Sequence, residues 1–381
     1  VSTWKTDNTS TGSSASNQIT LPLESTGTYD FTVDWGDGTQ NTITSGTDAN
    51  RTHTYATAGT YTVTINGTIT GFRFNNTGDR QKITNISKFG PLRLGNNGSY
   101  FYGASNLTIT ATDSLDLTGT TSLASAFRNC TGLSNAPSMK LWDVSNVTDM
   151  SAMFSGARTF NEDITSWNVG AVTTMSMMFD NGCGNPAQMP GFVCNNAGTS
   201  SSFNQNIGNW NVANVTSMSY MFYGNRVFNQ NIGNWNVSKV TSIAAMFLYA
   251  SAFNQGIGQW DVSNVTDMTY TFMGTSAFNQ NIENWNVSKV TSFMSAFANA
   301  SAFNQDISKW NVTSGTSVWH MLNGATAFSR SNYDALLLGW SAQNVKTGLS
   351  FHAGSAKYSQ SAAVLAARAT LTNATASGGK G

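Results

Sequence analysis

The stretch Phe228, Asn229, Gln230, Asn231, Ile232, Gly233, Asn234, Trp235, Asn236, Val237, Ser238, Lys239, Val240, Thr241, Ser242, Ile243, Ala244, Ala245, Met246, Phe247 is one copy of a short unit that fills most of this chain. Outward from it, Trp142, Trp167, Trp210, Trp235, Trp260, Trp285 and Trp310 fall 25, 43, 25, 25, 25 and 25 residues apart. A fixed period between about 20 and 50 residues marks a solenoid, because one repeat cannot bury its apolar side alone and stacked neighbours build a continuous core.

Two periods follow one another inside each copy. Trp235 and Val237 alternate with polar residues, which predicts a strand with one buried face. Val240, Ile243, Met246 and Phe247 are spaced three, three and one, which predicts a short helical turn capped by Thr241 or Ser242. The recurring Phe at 160, 203, 228, 253, 278, 303 and 328 and the Met at 150, 175, 218 and 268 are expected core. The Asn after each Phe carries both donor and acceptor, so it is expected to form a ladder with its copy one coil away and with the turn backbone.

The expected fold is therefore mainly β with short helical turns. Residues 79–328 form a solenoid of about nine 25-residue repeats with an insert at 180–202, and residues 329–381 form a helical C-terminal cap and linker. In that last segment, 331–338 and 361–371 read as two short helices that cover the open end. Residues 1–78 lack the period and read as a small β-sandwich: Phe31 to Asp34 alternate into an Asp-Gly turn, and Tyr61, Val63 and Ile65 share one face of a later strand.

The motifs Val33, Asp34, Trp35, Gly36, Asp37, Gly38, Thr39 and His53, Thr54, Tyr55 with Gly59, Thr60, Tyr61 resemble the signature of PKD (polycystic kidney disease) domains. That resemblance implies an immunoglobulin-like sandwich of the kind found in bacterial surface proteins. The repeat, as it stands at 203–222 and 228–247, resembles the bacterial BspA-like leucine-rich repeat surface proteins. It implies surface display and attachment to matrix proteins or other cells, with no residue motif for the ligand.

Composition narrows the function classes. Charged residues are 10% of the chain and 19 basic balance 19 acidic ones, so the positive stripe that phosphate binding needs is missing and nucleic acid is not an expected partner. No apolar run approaches the ~18 residues of a membrane span. The chain begins at Val1, which suits a processed secreted protein or an excised piece, and low charge with abundant Thr, Ser and Asn favours an extracellular, cell-surface or particle-surface setting.

Chemistry is sparse. His53, His320 and His352 lie far apart, which argues against a His-based triad or zinc site, and no enzyme is expected. No cofactor is expected either, except that Asp34 and Asp37 could place two carboxylates near a calcium ion; the alternative is that they accept turn N–H bonds. Cys183 and Cys194, inside the insert, are candidates for a disulfide.

What remains is a surface. If Trp and Val point inward, the residue between them points outward, giving the column Asp143, Asn168, Asn211, Asn236, Asp261, Asn286, Asn311, with Asn209, Asn234 and Asn284 beside it. Such an array suits hydrogen bonding to a glycan or a protein; the alternative is a merely solvated face. The leading functional expectation is a non-catalytic cell-surface or secreted adhesion protein that binds through this face. The other is a structural subunit of a filament, layer or virus particle that self-associates, since zero net charge weakens repulsion between copies.

Overall fold

A computed structural model describes residues 1–182 and 200–372. It is mainly β, with two α-helices near the C-terminus. The chain divides into two compact units, Val1–Val172 with Met177–Gln205, and Thr173–Ser176 with Asn206–Gly381.

The first unit opens with nine strands: β1 Ser2–Lys5, β2 Gln18–Thr20, β3 Leu23–Asp34, β4 Gln40–Ile43, β5 Thr52–Thr54, β6 Thr60–Phe72, β7 Ile83–Ile86, β8 Leu92–Arg93 and β9 Thr108–Ile109. Seven of them form one sheet along the path β4-β3-β6-β1-β7-β9, with β8 on β6, while β2 and β5 pair separately. In β3 the alternation is as expected: Tyr29, Phe31 and Val33 are buried while Asp30 and Thr32 face water. Strand β1 lies between β6 and β7, and β7 pairs in parallel with β9, Asn85 opposite Thr108. The N-terminal strand and the first coils thus share one sheet.

A buried ion pair pins this unit's long loop. Lys82 and Asp79 are fully buried with Nζ 3.5 Å from the carboxylate. Nζ also donates to the carbonyls of Ser14, Ala15 and Gln18 at 2.8–3.0 Å, and Asp79 accepts from the N–H groups of Ser14 and Thr20 at 2.7 Å. Such a pair holds its geometry because every charge-bearing atom has a partner.

In both units the repeats stack coil on coil. In the second unit, parallel bridges join Thr174 to Ser217, then Ser217, Ser242, Asp267, Ser292 and Ser317 in turn. The N–H groups of Ile243, Ala245, Phe247 and Tyr249 donate to the carbonyls of Asp267, Thr269, Thr271 and Met273 in the following coil, at 2.8–3.2 Å. The intervening N–H groups of Met246, Leu248 and Ala250 close tight turns on the carbonyl three residues back.

This backbone corrects two expectations. The segment 240–247 is not a helical turn: Ala245 and Tyr249 have φ of 54° and 57°, and the left-handed residues turn every second N–H out toward the next coil. Its spacing of three reflects three-residue turns and not a helix. Trp235 to Val237 forms no strand either, because the bridge between coils falls on Ser242. A left-handed residue costs about 1–2 kcal/mol, which the two sets of hydrogen bonds offset.

The core is as expected. The recurring Trp, Val, Phe and Met are all buried. Trp235, Trp260, Trp285 and Trp310 stack with ring centroids 6.3–6.4 Å apart. Each indole N–H donates to an Ile carbonyl of the preceding coil, as Trp260 does to Ile232 at 3.1 Å, so burial of the ring leaves no polar atom unmet. The Asn ladder forms as well: Asn229 Oδ1 accepts from the N–H of Asn254, Asn254 from Asn279 and Asn279 from Asn304, at 2.9–3.0 Å.

The second unit ends in α1 Arg330–Ser341 and α2 Ala362–Thr372, where the two short helices were expected. Ser329 caps α1 by accepting from the Asn332 N–H. The cap imitates a coil. Ser329 N–H and Asn332 Nδ2 bond to Asn304 Oδ1 as an Asn and a Gln do above, and the Trp340 indole donates to Ile307 at 3.3 Å. Among the described residues no helix is long and apolar enough to cross a membrane.

Candidate functional site

The outward column is built by the same alternation that buries its neighbours. In the first unit Asp143 and Asn168 are exposed beside buried Trp142, Val144, Trp167 and Val169. In the second, Asn211, Asn236, Asp261, Asn286 and Asn311 are exposed between their buried Trp and Val, and Asn209, Asn234 and Asn284 are exposed one residue before the Trp.

The structure gives most of these side chains a second duty. Asn236 Oδ1 accepts from the N–H and hydroxyl of Ser238 at 3.1 and 2.7 Å. The same bond to the N–H two residues on is made by Asp143, Asn168, Asn211, Asp261, Asn286 and Asn311, at 3.0–3.2 Å. These Asx turns bend a chain that has little regular ladder of its own. In Asp143 and Asp261 the hydroxyl and N–H of the following Ser hold the carboxyl below its ordinary value.

Each Asn of the column therefore spends its oxygen on its own turn, and in Asn236, Asn286 and Asn311 the Nδ2 meets no protein acceptor among the described residues. The face presents amide donors, interrupted in the second unit by the Asp261 carboxylate. Asn209, Asn234 and Asn284 are exposed and make no turn bond among the described residues. Cross-coil ties stiffen the border: Lys239 Nζ donates to Asn214 at 2.7 Å, Lys289 Nζ to Asn264 at 2.6 Å, and Lys309 pairs with Glu283 at 2.6 Å.

The two aspartates considered for calcium are engaged in their loop. Asp34 accepts from Gly36 N–H at 2.9 Å and from the Gln40 amide at 3.1 Å. Asp37 accepts from the Thr39 N–H at 3.1 Å and lies 2.7 Å from His53 Nε2. Burial raises the Asp37 carboxyl, but the Thr39 and His53 bonds outweigh it and the group ends below its ordinary value. His53 in turn stacks on Trp35 at 4.9 Å. Among the described residues no group of three or more His, Cys, Asp and Glu is placed to hold a metal ion.

Cys183 and Cys194 lie outside the described residues. Cys130 is buried and free, its thiol donating to the Phe101 carbonyl at 3.0 Å, and burial pushes its pKa up. Sequence reading missed one juxtaposition: His320 and His352, treated as remote, have ring centroids 5.4 Å apart, and the exposed ring of Trp319 stacks on His320 at 3.8 Å. The return of residues 350–354 to the last coil brings them together, and no local pattern announces it.

No curated protein and no solved structure matches the chain. One family does, described as Mycoplasma protein of unknown function, DUF285, over residues 96–188, 193–265 and 252–364. These three matches fall on the repeats and cover well over half of the sequence, so the chain belongs to the DUF285 family of repeat proteins.

Proposed function

We propose that this protein is a non-catalytic adhesion or binding protein of a cell surface or secreted setting, which holds a protein or glycan partner through the outward column of its repeats. In this reading the repeats are a leucine-rich-repeat-type solenoid like those of BspA-like surface proteins, and the N-terminal strands are a PKD-like, immunoglobulin-like domain that acts as a spacer. The observation that carries it is the face itself: exposed amides at one position in successive coils, their oxygens fixed by turns and their N–H groups directed to solvent. Preorganised donors at a regular spacing lose little entropy when a ligand rich in hydroxyl or carbonyl oxygen arrives.

The test substitutes residues that the fold does not use. Asn234→Arg and Asn284→Arg remove exposed side chains with no turn bond, so thermal unfolding is expected to stay unchanged while capture on a matrix-protein and glycan array falls at least tenfold. Unchanged capture overturns the reading for this face. A second reading, a structural subunit that packs against its own copies, is favoured by the balance of 19 basic and 19 acidic residues. Light scattering over a concentration series separates the two: growth into ordered assemblies supports the subunit, a persistent monomer the binder.

A further inference from the structure

The second unit contains a cavity of about 400 Å³ between its last coil and the C-terminal segment. Every earlier coil has the next coil below it; the last has a helix instead. Helix α1 delivers Trp340 to the Trp position and Asn332 to the Asn ladder. A helix rises only ~1.5 Å per residue and cannot lay alternate side chains along the whole floor of a coil. The space left over is walled by Val318 of the coil, Leu336, Leu337 and Trp340 of α1, and Phe351 and Leu371.

Its charged groups are all of one sign, beside the hydroxyls of Tyr333, Ser350 and Thr372. Among the described residues Lys346 and Arg368 are the charged members of the lining, no Asp or Glu joins them, and neither makes an ion pair. Both are exposed, and the Arg368 guanidinium carbon lies over the Tyr358 ring at 5.2 Å from its centroid, which positions the cation by one face while its in-plane N–H groups stay open to a carboxylate. The coil edge adds a donor. Phe293 N–H is taken by the Ser317 carbonyl, whereas its counterpart one coil on, the N–H of Val318, meets no acceptor among the described residues.

We propose that this cavity binds one molecule of an apolar carboxylic acid, with the hydrocarbon body against Leu336, Leu337, Trp340 and Phe351 and the carboxylate on Lys346 and Arg368. The volume lies within the range of about 300–1,000 Å³ typical of small-molecule sites. The apolar walls supply affinity through burial, and two unpaired cations at the mouth select a carboxylate. This site is independent of the exposed Asn face, and neither proposal stands or falls with the other.

Dodecanoate and dodecanol, titrated into the full chain by calorimetry below their aggregation limits, test it. The expected result is saturable binding of one dodecanoate, with dodecanol at least tenfold weaker. In the double variant Lys346→Ala, Arg368→Ala the expected affinity for dodecanoate falls at least tenfold while that for dodecanol is unchanged. Both replaced residues are exposed, and circular dichroism verifies that the variant is folded. A second variant, Ser350→Trp, places a ring at the rim and is expected to weaken both ligands. Absence of saturable binding, equal affinity for acid and alcohol, or an undiminished affinity in the double variant would overturn the proposal.

Discussion

The ring of Tyr249 lies over Gly274 of the next coil, so that a Cβ on Gly274 would collide with Tyr249 Cδ1. Both occupy the second left-handed position of their coils, with φ of 57° and 69°. The pattern recurs: Asn299 covers Gly324, and in the first unit Asn129 covers Gly156 and Asn76 meets Gly103. A side chain at this position in one coil is thus matched by its absence in the next.

Gly274→Ala should therefore destabilise the protein by about 1–3 kcal/mol, from the left-handed backbone and the collision together. The second variant Tyr249→Ala should recover part of that loss when both are made, leaving only the backbone cost. Urea unfolding of the two single variants and the double variant measures this coupling; strictly additive losses would show that the ring and the glycine do not interact.

Trp260→Phe keeps most of the stacked apolar area but removes the indole donor from the Ile232 carbonyl. The Ile232 carbonyl keeps the Trp235 N–H as a donor at 3.1 Å, so the loss is that of one net hydrogen bond, about 0.5–1.5 kcal/mol, and the lost ring area adds to it. By contrast Asn284→Ala, at an exposed position without a bond, should stay within about 0.5 kcal/mol of wild type. Thermal melts of the two variants side by side check the ranking.

Lys82→Met strips the buried partner from Asp79 and removes the ammonium that ties the carbonyls of Ser14, Ala15 and Gln18 together. Breaking such a pair from one side costs about 3–5 kcal/mol. Amide exchange should show the loss concentrated in residues 10–20. The pair variant Asp79→Leu, Lys82→Met should be less damaging than Lys82→Met alone, because it leaves no uncompensated carboxylate.

Asp180 supplies a pH dependence of opposite sign to that of Asp143 and Asp261. Burial raises its pKa to about 6 from 3.8, against the lowering effects of Ser155, Arg128 and Arg158. A raised value means that the folded state holds the proton more tightly. The contribution is present in full below about pH 4 and is lost as pH rises through about 6. Asp143 and Asp261, with depressed values, contribute above their unfolded values and lose that contribution as the pH falls through the folded ones. Asp180→Asn should thus gain stability relative to wild type between pH 4 and pH 7 and show little difference at pH 4, measured by chemical denaturation at each pH.

Cys130 has a buried thiol held in its protonated form. Only the thiolate reacts readily, so alkylation of Cys130, followed by peptide mass mapping, should be negligible in native buffer and complete in denaturant. Fast native labelling would mean that the coil around Phe101 opens far below the global unfolding free energy.

The residue types alone determined which positions are inside. Trp, Val, Phe and Met recurring every 25 residues are buried, the residues between Trp and Val are exposed, and the two short helices lie where Ser329 and the Ala-rich segment place them. Burial is written in side-chain chemistry, residue by residue, so a period of apolar residues reports it directly. The tertiary structure decided the backbone. Whether Val240 to Phe247 becomes a helical turn or a left-handed ladder depends on carbonyls about 25 residues away, and that choice turned an expected helix into the element that joins the coils. It also decided what the candidate face can offer, since the oxygens of Asn236 and its counterparts are committed to their own turns. The cavity beside Trp340 and the meeting of His320 with His352 arise from how the last residues return to the stack, a packing relation that no local sequence pattern encodes.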